Sequence, residues 1–291
     1  MKSAYIFVIL IATALAASCN GKGDPGKKDA DADIWTRSKP LVARVEVSDE
    51  GRLIETYEYT YDDKGRMLTL VKTDNMSKAV MLDLQYSYPA ENQMKITGKF
   101  YPISTNRFMD VSYSPKEGVL TYSGSWSGAW TYTTTINADG VATATQCKEK
   151  FASTEGYYSS DMVYSEAYTV AGGTIAESLA GTDIKAKGSN ATSTANSSAL
   201  RTVYVASDKA DRQNFAAYLM PDTFPVWIAS GLPGNKNLIK GITGFTGTVQ
   251  TAESTAIEYT LNADGDIDTA IRTDSNAGAP ILVRTYKFIY Q

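Results

Sequence analysis

Residues Tyr59–Val71 read YTYDDKGRMLTLV, and the design of this stretch recurs along the chain. An apolar residue is followed by Ser, Asp or Asn, then by two variable residues and Gly, after which strand-forming residues resume. The first polar side chain can bond the backbone two residues on, the middle pair suits a type I turn, and Gly closes a bulged hairpin in the left-handed conformation. The design therefore predicts tight turns between neighbouring antiparallel strands. Its copies begin at Val47, Tyr61, Ile136 and Leu261, and a variant with one more residue begins at Tyr113.

The segments between these turns are rich in Tyr, Thr, Val and Ile, which strands prefer. Val47–Leu70 is the clearest meander, with one strand over Arg52–Tyr61. One short helix is predicted after Ser207 as N-cap, ending before Pro221. The predicted fold class is all-β, an antiparallel meander forming a soluble β-barrel or a strongly curled sheet, with at most one or two short helices. Further predicted strands are Ala79–Tyr88, Met94–Phe100, Phe108–Ser114, Val119–Trp126, Ala129–Ile136, Met162–Val170, Thr202–Ala206, Ile257–Leu261, Ile267–Thr273 and Ile281–Tyr290.

The first residues have the features of a secretory signal. Lys2 is positively charged, Tyr5–Leu15 is apolar but too short for a permanent membrane span, and small residues precede Cys19. A cysteine in this place resembles a bacterial lipoprotein signal, which implies that residues 1–18 are a signal peptide and that Cys19 carries palmitate-type acyl chains. An ordinary signal peptide with a chance cysteine is the alternative. Asn20 stands where some bacteria have the Asp of inner-membrane retention, which favours the outer membrane, on its periplasmic or cell-surface face.

The remainder of the chain divides into a linker and one folding unit. Residues 19–34 are predicted to be a flexible tether, because they are rich in Gly, Lys and Asp and have few apolar residues to bury. Residues 35–291 are predicted to form a single β-barrel-like domain, and 43% hydrophobic residues suffice for its core. Within it, 181–199 is rich in Ser, Thr, Asn and Ala and is predicted to be a long loop.

Composition excludes several kinds of chemistry. The chain has no histidine, which removes Ser-His-Asp and Cys-His hydrolysis and the zinc and iron sites that rely on imidazole. The net charge is −4, and no basic run is present, so nucleic acid is not an expected partner. Cys147 has no disulfide partner once Cys19 is acylated, and it is predicted to be a small buried residue. No catalytic residue and no cofactor are predicted.

The stretch YSGSWSGAWTYTT contains the candidate ligand-binding residues. Aromatic residues at alternate positions of one strand share a face, and such faces stack on sugars. The alternative is the aromatic core of a barrel interior, where large rings alternate with small residues. The four candidates are Tyr122, Trp126, Trp130 and Tyr132.

The stretch LNADGDID contains a calcium candidate, because hard oxygen ligands alternate along it. The position of Gly265 differs from the EF-hand order, and no following Glu completes that pattern. A solvated hairpin tip is therefore the favoured alternative to a metal site. The four residues are Asn262, Asp264, Asp266 and Asp268.

Several of these stretches together resemble a known family. Cys19 with its preceding residues, YTYDDKGRML, YTLNADGDIDTAIRT and the closing RTYKFIYQ are similar to secreted lipoproteins of unknown function from gut Gram-negative anaerobes. Residues Phe224–Ile242 resemble that family's connector before its last strands, so the resemblance covers Val42–Gln291. It implies a porin-like β-barrel fold and no established catalytic residues. A lipid anchor would be redundant for an integral membrane barrel, so a water-soluble barrel held by lipid is expected.

The sequence thus predicts a lipid-anchored envelope protein with a non-catalytic binding or interaction role. The expected partners are the membrane, through the N-terminal lipid, and either a glycan or another envelope protein. One alternative is a carboxylate-dependent glycosidase, which requires two acids about 5–10 Å apart and a raised pKa on one of them. The other is a purely structural surface lipoprotein with a filled interior.

Overall fold

The structure is a computed structural model in which strands dominate. It describes residues 34–37, 40–100, 103–125, 129–152, 158–188, 192–196, 200–212, 215–219, 229, 235–246 and 248–291. Cys19 and Trp126 lie outside these residues. The elements are β1 Val42–Asp49, β2 Arg52–Tyr61, β3 Met67–Asp74, β4 Val80–Ser87, β5 Gln93–Phe100, β6 Ile103–Ser114, β7 Val119–Ser125, β8 Ala129–Ile136, β9 Ala142–Ala152, β10 Tyr158–Ala171, β11 Thr174–Gly188, β12 Thr192–Asn196, β13 Leu200–Ala210, α1 Phe215–Tyr218, β14 Asn237–Thr246, β15 Val249–Leu261, β16 Ile267–Asn276 and β17 Ala279–Tyr290.

The strands form a closed antiparallel barrel. Apart from β12, each strand pairs with the one before it and the one after it in the barrel, and β1 pairs with both β2 and β17, which closes the sheet. Of the seventeen strands in the described residues, β12 pairs only with the outer part of β11, beside the stretch where β11 pairs with β13. The remaining sixteen make the closed wall. The predicted all-β antiparallel barrel is confirmed, and the sheet is closed instead of merely curled.

Two local predictions for the segment around β11 to β13 were wrong. The expected loop 181–199 contains the second half of β11 and all of β12. Its low apolar content misled the prediction, because main-chain ladder bonds to β10 and β12 hold the end of β11 without requiring apolar side chains. Ser207 is not a helix N-cap, since it lies within β13, and α1 begins only at Phe215.

Three copies of the turn design are geometrically alike. In each, the first polar side chain accepts hydrogen bonds from the backbone N–H groups two and four residues on, at 2.9–3.0 Å. The glycine of each has φ between 78° and 83°, the left-handed region that glycine adopts without steric cost. These turns begin at Asp62, Asn137 and Asn262, and all three lie at one end of the barrel, here named the closed end.

The copy at Val47 is a different turn at the opposite end. Only Glu50 and Gly51 separate β1 from β2, and both have positive φ, at 48° and 78°. Two such residues define a type I′ hairpin turn, which matches the twist of the flanking strands. The predicted bulged turn was wrong here, because the same residue pattern does not determine where the flanking strands end.

The closed end is filled by a hydrophobic core. Inward side chains of most strands pack there with Trp35, which precedes β1, and with Phe215 and Tyr218 of α1, and all three side chains are fully buried. Phe215 meets Phe288 of β17 edge to face at 4.6 Å, and Tyr218 meets Tyr59 of β2 at 5.3 Å. The segment after β13 therefore closes this end of the barrel.

The half of the barrel opposite the closed end is here named the open half, and some of its inward side chains are only half-buried. Along β4, the inward side chains of Leu84 and Leu82 are 0% and 2% exposed, and an irregularity in the ladder places Val80 opposite the outward Thr73. Along β17, Phe288 is buried and Arg284 is half-buried. The closed end is thus the packed base of the barrel.

The outer wall is mixed. Outward positions on β2, β4, β5 and β9 carry charged, exposed side chains, whereas those on β17 carry exposed Ile281, Val283 and Ile289 beside Lys287. Representative charged residues are Glu58, Asp83, Lys95, Lys148 and Lys287. Separately, none of the helices in the described residues has the length and apolar character needed to cross a membrane.

Candidate functional site

An aromatic wall lines the inside of β7 and β8. Tyr122 and Tyr132 are directly opposite in the ladder, and their rings stack with centroids 4.9 Å apart and planes 2° apart. Trp130 meets both rings edge-on, at 6.3 Å from Tyr122 and 5.7 Å from Tyr132. Such cross-strand aromatic pairs stabilise a sheet face. The structure therefore brings together three of the four aromatic candidates, and the fourth, Trp126, lies outside the described residues.

Gly124 makes room for Trp130 and not for a ligand. The two residues are cross-strand partners, and a Cβ added at Gly124 would lie 2.6 Å from Cζ2 of Trp130. Here the glycine is the small neighbour that lets a large ring lie against the wall.

The two interpretations of the aromatic stretch apply to different residues. Trp130 is only 6% exposed and belongs to the hydrophobic core. Tyr122 and Tyr132 are half-buried and pack against that core. Burial is the main cause that raises the pKa of Tyr132, with Cys147 next. Trp130 is thus a support, and the two tyrosines are the rings that a ligand can reach.

A buried carboxylate continues the wall on β10. Glu166 is 3% exposed and accepts hydrogen bonds from Tyr164 Oη, at a short distance, and from Tyr168 Oη at 3.4 Å. Burial is the largest cause that raises the pKa of both tyrosines, and the nearby carboxylate is the second. Sequence reasoning missed this group. Its signal is the pattern YSEAY, in which a charged residue shares strand parity with two tyrosines.

Cys147 of β9 lies between these two parts of the wall. It is opposite Tyr132 on one side and Tyr164 on the other, and it is a buried free thiol. The predicted burial is confirmed. Burial raises the pKa of the Cys147 thiol to about 11, so the thiolate needed for nucleophilic attack is scarce at neutral pH.

The calcium candidates lie at a hairpin tip of the closed end. The Asn262 side-chain oxygen is engaged by the backbone N–H groups of Asp264 and Asp266, and Asp268 accepts a bond from Thr269 Oγ1 at 3.0 Å. Burial raises the pKa of the Asp266 carboxyl, which disfavours the charged form that a cation requires. Among the described residues, no three His, Cys, Asp or Glu side chains group closely enough to hold a metal ion.

The wall opposite the aromatic residues is charged. On β16, Arg272 binds Asp274 through Nε at 3.0 Å and Nη2 at 2.9 Å, and Thr255 of β15 donates to the same carboxylate at 2.6 Å. On β2 and β3, Lys72 Nζ lies 3.1 Å from Glu55 Oε1. These two ion pairs neutralise most of the charged side chains named on this wall.

The fold is that of a porin-like barrel, as solved structures show. A porin-like protein from Bacteroides vulgatus matches with a TM-score of 0.52 and 12% identity, covering 87% of this chain and 99% of that one. At this identity the likeness shows the fold alone, and it confirms the predicted porin-like class.

Other comparisons add little to this result. A porin-like protein from Bacteroides uniformis is 13% identical over 87% of this chain and 99% of that one, but its TM-score of 0.35 carries no argument. No protein-family model matches the chain. No curated protein matches it either.

Proposed function

We propose that the protein is a lipid-anchored, non-catalytic binding protein of the cell envelope that takes a glycan into the open half of its barrel. The observation that carries this proposal is the position of Tyr122 and Tyr132. Their rings are half-buried on the inward face, and both meet the buried Trp130 edge-on. Apolar sugar faces stack on such rings, and the nearby polar groups of β10 can hydrogen-bond to hydroxyls.

The absence of catalysis is part of the proposal and is supported by the spacing of the acids. Two carboxylates face inward near the aromatic wall, Glu149 of β9 and Glu166 of β10. Glu166 is opposite Thr145 in the ladder, four residues from Glu149, so their backbones are about 13 Å apart along the strand direction. Glycosidases hold their two acids about 5–10 Å apart. This pair therefore favours binding over hydrolysis.

The lipid anchor at Cys19 completes the proposal. Residue 34 enters the fold at the closed end, beside the buried Trp35. A lipid at Cys19 would therefore connect to the barrel at its closed end, through the predicted tether. Acyl labelling with a palmitate analogue should be lost in Cys19→Ala, and labelling that persists would refute the anchor.

A glycan array tests the binding role. Wild type is compared with Tyr122→Ala and Tyr132→Ala, and with Phe108→Ala as a matched control, because Phe108 faces outward on neighbouring β6 and is 46% exposed. We expect both tyrosine variants to lose signal for the glycan that wild type binds, while the control keeps it. Equal signal in all four proteins would show that the aromatic wall is not the site, and no signal for wild type would favour a structural role.

A further inference from the structure

We infer that the charged wall around Arg284 binds a carboxylate of the ligand, so that the ligand is an acidic glycan containing sugar acids. This inference rests on the proposed function in one respect, namely that both place the ligand in the open half of the barrel. It adds the chemical class of the ligand and a second contact residue.

The geometry places two guanidinium groups side by side. Arg284 of β17 and Arg272 of β16 are direct cross-strand partners, with Cα atoms about 5 Å apart. Both face inward, because Phe288 and Tyr286 on β17 and Ala270 on β16 share their parity and are buried. Like charges directly opposite in a sheet destabilise it unless each is compensated.

Within the described residues, only one of the two guanidinium groups has its charge compensated by a carboxylate. Arg272 is held by the carboxylate of Asp274 through two hydrogen bonds. Arg284 takes part in none of the ion pairs of the described residues, and its buried Nε has no hydrogen-bond partner there. A half-buried cation in this condition is stabilised by an anion that enters from the lumen.

Arg284 belongs to a row of charged side chains. The same row continues from Arg284 to Asp49 of β1 and then to Arg52 of β2, each directly opposite the next. Glu55 of β2 and Asp74 and Lys72 of β3 lie beside this row, so the basic and acidic side chains of the region balance, and the anion site is the guanidinium of Arg284 itself. Asp49 lies between two arginines and forms no ion pair with Arg284 among the described residues, so the guanidinium can still bind an incoming carboxylate.

The position favours a sugar acid over a free organic acid. β17 lies eight strand positions from β8 around the sixteen-strand wall, so Arg284 and the aromatic wall are on opposite sides of the barrel. An oligosaccharide can stack on Tyr132 and present a carboxylate to Arg284, whereas a small acid can reach only one side. Planar, bidentate recognition of a carboxylate is the property that distinguishes arginine from lysine.

The test uses tetragalacturonate and its carboxyl-reduced, neutral counterpart. Each is titrated into the protein, and the affinity is measured by isothermal titration calorimetry. We expect the acidic oligomer to bind more tightly than the neutral one and to weaken as salt rises. Arg284→Gln should reduce affinity for the acidic oligomer by about 10- to 100-fold, as expected for a lost charge-assisted contact, and should not change the affinity for the neutral one. Lys287→Gln is the matched control, since it removes a positive charge from the outward face of the same strand.

The outcomes separate this inference from the proposed function. Acidic binding lost in Arg284→Gln but unchanged in Tyr132→Ala would support the anion site and overturn the aromatic one. Neutral binding lost in Tyr132→Ala but unchanged in Arg284→Gln, with no preference for the acidic oligomer, would do the reverse. No binding of tetragalacturonate at millimolar concentration overturns the inference. Galacturonic acid bound as tightly as the tetramer would also overturn it, in favour of a small organic acid.

A ligand-free readout adds an independent check. Because Arg284 has no ion-pair partner in the described wall, Arg284→Gln should leave the melting temperature unchanged or raise it. A lower melting temperature would show that Arg284 holds the wall together, and would overturn its role as a binding residue.

Discussion

Replacing Gly65 with Ala should destabilise the barrel more than the same change at Gly51, although the two glycines have the same φ of 78°. The difference lies in what surrounds them. A Cβ at Gly65 would lie 2.7 Å from the backbone oxygen of Arg37, whereas a Cβ at Gly51 would meet nothing within 4 Å. The pair therefore separates the cost of the backbone conformation from the cost of contact with the segment before β1.

The magnitudes follow from these two terms. An alanine in the left-handed region costs about 1–2 kcal/mol, and the loss of chain entropy in the unfolded state returns about 0.4–1 kcal/mol. Gly51→Ala should thus lower the free energy of unfolding by about 1 kcal/mol. At Gly65 a backbone atom must also move, and overpacking of this kind adds about 1–3 kcal/mol.

Urea unfolding followed by tryptophan fluorescence measures both variants. Trp35 is fully buried next to Tyr88, with ring centroids 6.4 Å apart. With the other three tryptophans, Trp126, Trp130 and Trp227, replaced by Phe in every protein compared, acrylamide quenching reports whether the segment of Trp35 has been displaced. We expect increased quenching in Gly65→Ala and none in Gly51→Ala. Equal destabilisation of the two variants, with Trp35 protected in both, would refute the packing of this segment against the turn.

Three further predictions concern the packed base of the barrel, its turns and the Cys147 thiol. Phe215→Ala should lower the free energy of unfolding, measured in urea, by about 3–5 kcal/mol because a fully buried ring is lost. Phe108→Ala should lower it by less than about 1 kcal/mol. Similar losses in the two variants would contradict the packed base. Burial raises the pKa of Asp62, but hydrogen bonds from Arg66 and Lys64 outweigh it and hold the pKa below its ordinary value. The stability that Asp62 contributes should therefore be present above about pH 3.9, the unfolded value, and be lost as pH falls through the lower folded pKa. Asp62→Asn should keep the turn, because Asn occupies the same position in the turns at Asn137 and Asn262, and it should reduce the loss of stability in acid. The same loss of stability in acid as in wild type would contradict this. In a Cys19→Ala protein, Cys147 should resist thiol reagents in the folded state and react fully in urea. Labelling of Cys147 in the folded protein would contradict its burial.

The turns were predictable because their physics is local. The polar residue, the two variable positions and the glycine at Asp62, Asn137 and Asn262 contain all the hydrogen-bonding groups that the turn needs. The strands between them followed from composition. Closure did not, since it depends on β1 meeting β17 at the far end of the chain, a contact of high sequence separation that no local pattern encodes.

The candidate site was predictable only in part, for the same reason. Strand parity sufficed to place Tyr122, Trp130 and Tyr132 on one face. Parity could not show that Trp130 is a support, because that depends on its cross-strand neighbour Gly124. The pairing of Arg272 with Arg284 depends on the register of β16 and β17, which contains an irregularity at Asp274 and Ser275. Such shifts change which side chains meet, and they are fixed by the whole sheet.

The central claim is that a ligand enters the open half of the barrel, and paired cysteine substitutions on β10 test it most directly. In a Cys147→Ala background, Met162→Cys places a thiol on the inward face, opposite Glu149, and Asp161→Cys places one on the outward face of the same strand. The glycan identified on the array should slow thiol labelling at position 162 and leave labelling at position 161 unchanged. Equal protection at both positions, or none at position 162, would contradict the account.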